Sequence, residues 1–124
     1  MLIKLLLSLF ILNVNSFINI PINTYIKTFN NNKLDYVNVV EPYYSNKYNT
    51  SCILFFTGGS SFIVPEIYNN FFRNIASNNV AICVPSFRYS DINNLINILD
   101  YKYKEVIIAG HSSGATVALN KCNS

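Results

Sequence analysis

The sequence predicts an α/β fold in which an N-terminal hairpin is followed by parallel strands alternating with helices. Short apolar runs of strand length recur at residues 52–56, 80–84 and 106–109. The segments between them have apolar residues at helical spacing. Strands that alternate with helices in this way are joined by right-handed crossovers in a parallel sheet. With 124 residues, of which 51% are hydrophobic, the chain has room for one small packed domain.

The first two strands of the domain are predicted at residues 17–29 and 34–40. Pro21 marks the first of them as an edge strand, because proline cannot donate to a strand ladder. Residues 30–32 are three asparagines, which favour a turn, so the two strands are expected to pair as a hairpin.

Three helices are predicted from apolar spacing and from helix-start signals. The first follows the loop at residues 57–61 and has Pro65 in its first turn, with a stripe of Ile67, Phe71 and Ile75. The second is predicted to start at an N-cap, Ser90, and to bury Ile92, Leu95, Ile96 and Leu99. The third follows residue 112 and carries Ala115, Ala118, Leu119 and Cys122.

Residues 1–16 resemble a secretory leader, which leaves residues 17–124 as the domain. Lys4 supplies the charge, and the apolar stretch of residues 5–14 precedes a small-residue cleavage site at Ser16. As a helix this stretch would reach about 15 Å, half of a membrane's apolar thickness. A cleaved signal is therefore favoured over an uncleaved signal anchor. The chain is expected to be secreted, or else anchored to a membrane through this segment. On a secretory route the glycosylation pattern at Asn49 becomes usable.

Charge and cysteine content exclude several classes of function. The net charge of +3 comes with scattered lysines, and nucleic-acid binding would need a basic stripe. The odd count of three cysteines implies no complete disulfide framework. Cys52 and Cys83 fall in apolar strands and are expected to pack as small hydrophobes. The sequence predicts no cofactor and no metal site.

The sequence Gly110-His111-Ser112-Ser113-Gly114 is typical of a nucleophile elbow. Its two glycines permit a strained turn between a buried strand and a helix, with the serine hydroxyl standing clear at the strand end. Ser112 is therefore the candidate catalytic nucleophile. The context makes the motif specific, since both the strand and the helix are predicted where the elbow needs them.

An oxyanion hole is expected beside Ser112. The backbone N–H of Ser113 is one donor, and the glycine-rich loop at residues 57–61 supplies the other. Gly59 is the favoured second donor, with Ser60 next. The alternative is that this loop is an ordinary glycine turn between strand and helix.

The acid and base that Ser112 needs are not found in the chain. The single histidine is His111, whose position next to Ser112 makes it a packed elbow residue rather than the general base. The acidic residues all precede Ser112, whereas hydrolases with this elbow carry the acid and then the histidine after the serine.

The chain resembles the first half of an α/β-hydrolase in the order FFTGGSS, helix, buried strand, AGHSSGA. Within that superfamily it is most similar to the lipase, chlorophyllase and dienelactone-hydrolase-like branches. The resemblance spans residues 34–121. It implies a partial α/β-hydrolase fold, truncated after the elbow helix. It also implies that Ser112 matches the nucleophile and that Ser113 and Gly59 match the oxyanion donors, with acyl esters or lipids as substrates. Thr57 stands where many members have histidine, which backbone donors tolerate.

Two functions from different classes follow. The first is a serine esterase site that is incomplete and inactive in this chain, with a C-terminal half as the missing partner. The second is a non-catalytic hydrolase relic or interaction module. In the 124-residue chain, the strand at residues 106–109 is expected to form an apolar sheet edge that recruits another chain.

Overall fold

The computed structural model describes residues 3–7, 21–28, 35–58, 68–86 and 89–123. These residues form one sheet and three helices. The strands are β1 (Ile3–Leu7), β2 (Ile22–Thr28), β3 (Tyr36–Pro42), β4 (Ser51–Phe56), β5 (Val80–Pro85) and β6 (Val106–Gly110). The helices are α1 (Asn69–Ala76), α2 (Ile92–Lys102) and α3 (Ser113–Cys122).

The sheet has six strands in the order β1-β6-β4-β5-β3-β2. The pairs β4·β5 and β4·β6 are parallel, whereas β2 and β3 form an antiparallel hairpin at one edge. This arrangement confirms the predicted fold class, a hairpin followed by parallel strands and crossover helices. Pro21 lies just before β2, the edge strand, where its missing N–H costs no ladder hydrogen bond.

The opposite edge of the sheet differs from the expectation. β1 pairs in parallel with β6 over its whole length, from Ile3 opposite Val106 to Leu7 opposite Gly110. In the full chain β6 is therefore an internal strand rather than the apolar edge that the sequence suggested. The physical reason is that an unpaired edge presents a row of N–H and C=O groups that a free apolar segment can satisfy. The leader assignment for residues 1–16 stays a prediction.

Helices cover both faces of the sheet. On one face α2 and α3 pack on a buried cluster that includes Leu54, Leu95, Val106, Ile108 and Ala118. On the other face α1 packs on a second cluster, made chiefly of Ile53, Phe55, Phe72, Ala76 and Ile82. The central strands are thus buried on both sides, which is why they read as continuous apolar runs in the sequence. Within the described ranges, none of the helices is long and apolar enough to cross a membrane.

The buried stripe of α1 is shifted from the predicted one. Phe72 and Ala76 are its buried residues, while Phe71 and Ile75 are only half-buried. Pro65 and Ile67 lie outside the described residues. In α3, Ala118 is buried as expected, but Leu119 is 43% exposed. Apolar spacing predicted the helices, but the packing of each helix against the sheet decided which of its apolar residues are buried.

Helix α2 starts one residue later than predicted. Asp91 is the N-cap, and its side chain accepts a hydrogen bond of 3.0 Å from the N–H of Asn94. The predicted cap, Ser90, instead donates its hydroxyl and its N–H to the buried carboxylate of Asp35 at 2.8 and 2.9 Å. A buried carboxylate requires hydrogen-bond donors, and Ser90 is the residue that supplies them here.

We expect Asp91→Ala to lower the free energy of unfolding by about 1 kcal/mol, the usual effect of losing a carboxylate N-cap. Urea unfolding followed by circular dichroism measures this loss. Asn93→Ala, an exposed substitution in the first turn of the same helix, is the control and should be nearly neutral. Equal stability of the Asp91→Ala chain and the wild type would show that the cap contributes nothing.

A network of polar side chains lies around the carboxyl end of β3. The carboxylate of Glu41, 7% exposed, accepts hydrogen bonds from the hydroxyls of Tyr25, Tyr103 and Ser45. The ammonium of Lys102 lies 3.4 Å from the same carboxylate. The network ties the hairpin to the end of α2. Among the described residues, no buried side-chain nitrogen or oxygen lacks a hydrogen-bond partner.

Candidate active site

Ser112 lies in the turn that joins β6 to α3. β6 ends at Gly110 and α3 begins at Ser113, so the strand, turn and helix lie where the sequence predicted them. The backbone of Ser112 has φ 56° and ψ −125°, a conformation that side-chain-bearing residues rarely adopt. Such a conformation costs on the order of 1–3 kcal/mol and persists only where its surroundings enforce it. The side chain is exposed at the carboxyl end of the strand.

Backbone hydrogen bonds on both sides hold this turn. Before it, the N–H of His111 donates to the carbonyl of Phe56 at 3.1 Å, which extends the β4·β6 pairing by one residue. After it, the carbonyls of His111 and Ser112 accept from Gly114 and Ala115, each at 3.0 Å. The carbonyl groups around Ser112 are therefore used to start the helix.

The two glycines of the motif are needed for close approach of the backbone. A Cβ atom added to Gly114 would lie 2.1 Å from the carbonyl oxygen of Phe56, at the end of β4. One added to Gly110 would lie 2.3 Å from the carbonyl oxygen of Gly114. The first turn of α3 thus lies directly against the ends of both β4 and β6, at a distance that no side chain permits.

The loop after β4 reaches the same place. Gly58 is buried against the turn, and a Cβ on it would come within 2.6 Å of the His111 carbonyl oxygen and 2.7 Å of the Ser112 Cβ. Gly59 and Ser60, the predicted second oxyanion donors, lie outside the described residues. The described part of the loop therefore packs against Ser112, while the roles of those two residues stay predictions.

The other predicted oxyanion donor, Ser113, is the first residue of α3. The first N–H groups of any helix have no acceptor within the helix. No acceptor for the Ser113 N–H is found in the described part of the chain. This N–H, next to Ser112 at the positive end of α3, is thus open to a negatively charged oxygen.

Tyr68, at the start of α1, is a site residue that sequence reasoning missed. Its hydroxyl lies 2.9 Å from Nδ1 of His111 and accepts a 3.4 Å hydrogen bond from the N–H of Gly58. Its ring stacks on Phe72 and meets Phe55 edge-on. No local pattern marks Tyr68 among the nine tyrosines of the chain, because its partners lie 10 and 43 residues away.

The structure brings no carboxylate to Ser112 among the described acidic residues. Asp35 lies at the same end of the strands as Ser112, but β3 is three strands from β6, about 14 Å away at the usual strand spacing. Glu41 and Glu105 lie at the opposite end of the strands and accept hydrogen bonds from Tyr103 and Ser51 respectively. Asp91 caps α2, Asp100 lies near the C-terminal end of the same helix, and Glu66 lies outside the described residues.

The cysteines take no part in the site. Cys52 and Cys83 lie in β4 and β5 with their sulfur atoms 3.6 Å apart, and both are buried, as the sequence predicted. Burial, together with the neighbouring thiol, raises the pKa of Cys52 well above its ordinary value, which keeps it a neutral thiol. The described residues hold no group of three or more histidine, cysteine or acidic side chains arranged for a metal.

The arrangement as a whole is an exposed, strained serine with one open backbone N–H beside it and a glycine loop packed against it. Binding sites of α/β sheets lie at this position, outside the carboxyl ends of the strands. The geometry suits attack by a hydroxyl on a carbonyl carbon, with the Ser113 N–H receiving the oxyanion.

Comparison with protein-family models and with curated protein sequences gives no match. Comparison with solved structures gives esterases. Esterase Est22 aligns with a TM-score of 0.56 and 18% identity over 83% of this chain and 40% of that chain. A variant of esterase rPPE aligns with a TM-score of 0.57 and 17% identity over 82% and 39% of the two chains. Brefeldin A esterase, described as a bacterial homologue of human hormone-sensitive lipase, aligns with a TM-score of 0.55 and 11% identity over 83% of this chain and 36% of that chain.

At these identities the likeness concerns the fold, and the chain spans about two fifths of the length of the enzymes it matches. The chain has part of the α/β-hydrolase fold, in the form seen in esterases.

Proposed function

We propose that this chain carries the nucleophile side of a serine esterase site, with Ser112 as the nucleophile. The observation that carries the proposal is the backbone of Ser112, at φ 56° between β6 and α3. This is the conformation expected of a nucleophile elbow, where a sharp strand-to-helix turn lifts the serine Oγ clear of the sheet. A packing role for Ser112 would explain neither its exposure nor the strain.

The oxyanion donors in this proposal are backbone N–H groups. Ser113 supplies one of them from the start of α3, and the loop after β4 supplies the second through Gly59 or Ser60. The contact of Gly58 with Ser112 supports this, because it holds the loop within reach of the nucleophile. Two such donors receive the charge of a tetrahedral intermediate.

The substrates we propose are acyl esters, including lipids, since the structural neighbours are esterases and the motif suits acyl transfer. The acid and the base are proposed to come from residues other than those described here. The neighbours are about twice as long as this chain, which leaves room for both groups in a C-terminal half. Secretion, through the leader at residues 1–16, also remains part of the proposal.

The proposal is tested by the chemistry of the purified 124-residue chain. We expect negligible turnover of a chromogenic short-chain ester, and the same result for Ser112→Ala, because the described residues place no base beside the hydroxyl. An oxyanion hole alone still leaves measurable reactivity. Prolonged exposure to a fluorophosphonate probe is therefore expected to give a slow adduct at Ser112, located by peptide mass spectrometry.

Ser112→Ala should abolish this adduct, whereas Ser113→Ala, which keeps the backbone N–H, should retain it. An adduct spread over several exposed serines, or none at Ser112, would contradict the proposal and favour the non-catalytic relic. Fast ester turnover that Ser112→Ala abolishes would support the nucleophile but require a base within this chain. Sequencing the transcript beyond codon 124 tests the proposed second half, which needs an acid followed by a histidine.

A further inference from the structure

A single hydroxyl connects the two loops of the proposed site. Tyr68 Oη lies between the N–H of Gly58, in the loop after β4, and the Nδ1 atom of His111, in the turn after β6. Both partners are immediate neighbours of residues that the proposed reaction uses. The ring that carries the hydroxyl is fixed by its stacking on Phe72, with centroids 5.5 Å apart and planes 16° apart.

The proton positions follow from counting donors. Gly58 can only donate to Tyr68 Oη, so the hydroxyl oxygen is an acceptor in that bond. If His111 also donated from Nδ1, the hydroxyl proton would need a third partner, and the described residues supply none. If Tyr68 donates to Nδ1, all three groups are satisfied. Nδ1 of His111 is then the acceptor nitrogen, and the ring proton is on Nε2.

We propose that Tyr68 is a positioning residue of this site: its hydroxyl fixes the His111 tautomer and holds the turn that carries Ser112 against the loop after β4. This inference rests on the proposed function for its meaning in catalysis. The backbone of His111 is already bonded on both sides, to Phe56 and Gly114. The link from Tyr68 adds the side chain to these restraints, so that the residue preceding Ser112 is fixed at three points.

A purely packing role for Tyr68 is the competing explanation. In that case the ring would matter and the hydroxyl would not, so Tyr68→Phe would leave His111 unchanged. A variant that retains the ring and its contacts to Phe55 and Phe72 therefore distinguishes the two explanations.

The experiment uses the full ¹⁵N-labelled chain at about pH 8, where imidazole groups are neutral. His111 is the single histidine, so a long-range ¹H–¹⁵N spectrum shows one imidazole without ambiguity. In the wild type we expect a protonated Nε2 and an unprotonated Nδ1. In Tyr68→Phe we expect a mixture of the two tautomers, together with shifts of the Ser112 and Ser113 backbone amides.

Tyr48→Phe is the matched control, because Tyr48 is 84% exposed, and it should leave both readouts unchanged. A wild-type His111 protonated on Nδ1 would overturn the inference without any variant. So would a Tyr68→Phe spectrum with the wild-type tautomer and unshifted Ser112 and Ser113 amides. Neither readout needs Ser112 to react, so failure of the proposed function is seen separately, in the missing fluorophosphonate adduct.

Discussion

Gly114→Ala is expected to lower the free energy of unfolding by about 3 kcal/mol or more, a large part of the stability of a small domain. The added methyl group would lie 2.1 Å from the Phe56 carbonyl oxygen and 2.6 Å from that of Thr57. Both are backbone atoms of β4 and the loop after it, so no rotation of a side chain relieves the contact. The helix must instead move away from the sheet, which breaks the packing of α3. Urea unfolding followed by circular dichroism measures the loss.

Ser113→Ala is the control, since Ser113 is exposed, lies on the same helical turn and is next to Gly114. It should change the free energy of unfolding by less than about 0.5 kcal/mol. Gly110→Ala should behave like Gly114→Ala, because its Cβ would meet the backbone of Gly114. A Gly114→Ala chain as stable as Ser113→Ala would show that the strand ends and the helix are further apart than described, and would remove the basis for the strained turn.

Glu41→Gln is expected to lower the free energy of unfolding by about 2 kcal/mol at neutral pH, the scale of hydrogen bonds to a buried charged group. The carboxylate accepts from the hydroxyls of Tyr25 and Tyr103, and an amide cannot accept as strongly at both oxygens. Lys102 adds a smaller attraction, since its side chain is 39% exposed and its charge is screened by solvent.

The same residue should make stability depend on pH. Burial alone would raise the pKa of Glu41, but hydrogen bonds from Tyr103 and Tyr25 and the charge of Lys102 outweigh it and hold the pKa below its ordinary value. The unfolded chain therefore binds the proton more readily than the folded chain. The contribution of Glu41 is complete above the ordinary glutamate pKa of about 4.3 and is lost as the pH falls through the lower, folded value.

Unfolding by urea at a series of pH values from about 7 to about 3 measures this effect. The difference in stability between the wild type and Glu41→Gln should shrink on acidification. Glu105→Gln is the control, because Glu105 is half-buried and accepts one hydrogen bond, from Ser51 at 3.0 Å. A difference that stays constant down to the acid end, or that matches the control, would show that the ionised form of Glu41 is not what the fold stabilises.

Local patterns in the sequence were enough for the order of the elements from β2 to α3 and for the position of the motif. The parallel strands β4, β5 and β6 are buried on both faces, so each stands out as a short apolar run between turn residues. The Gly110–Gly114 segment could also be recognised from local sequence. Its strained turn needs two glycines at fixed spacing, and that requirement is met within five consecutive residues.

Contacts between distant parts of the chain decided the rest. The pairing of β1 with β6 joins residues about a hundred positions apart, and nothing local to Ile3–Leu7 distinguishes a strand from a leader. Ser90 was predicted as a helix cap because serine favours that position, but the buried Asp35 needs its hydroxyl more. Tyr68 has the least sequence signal of all. Its role exists only because the fold brings the start of α1 against the turn after β6, where a hydroxyl finds both Gly58 and His111.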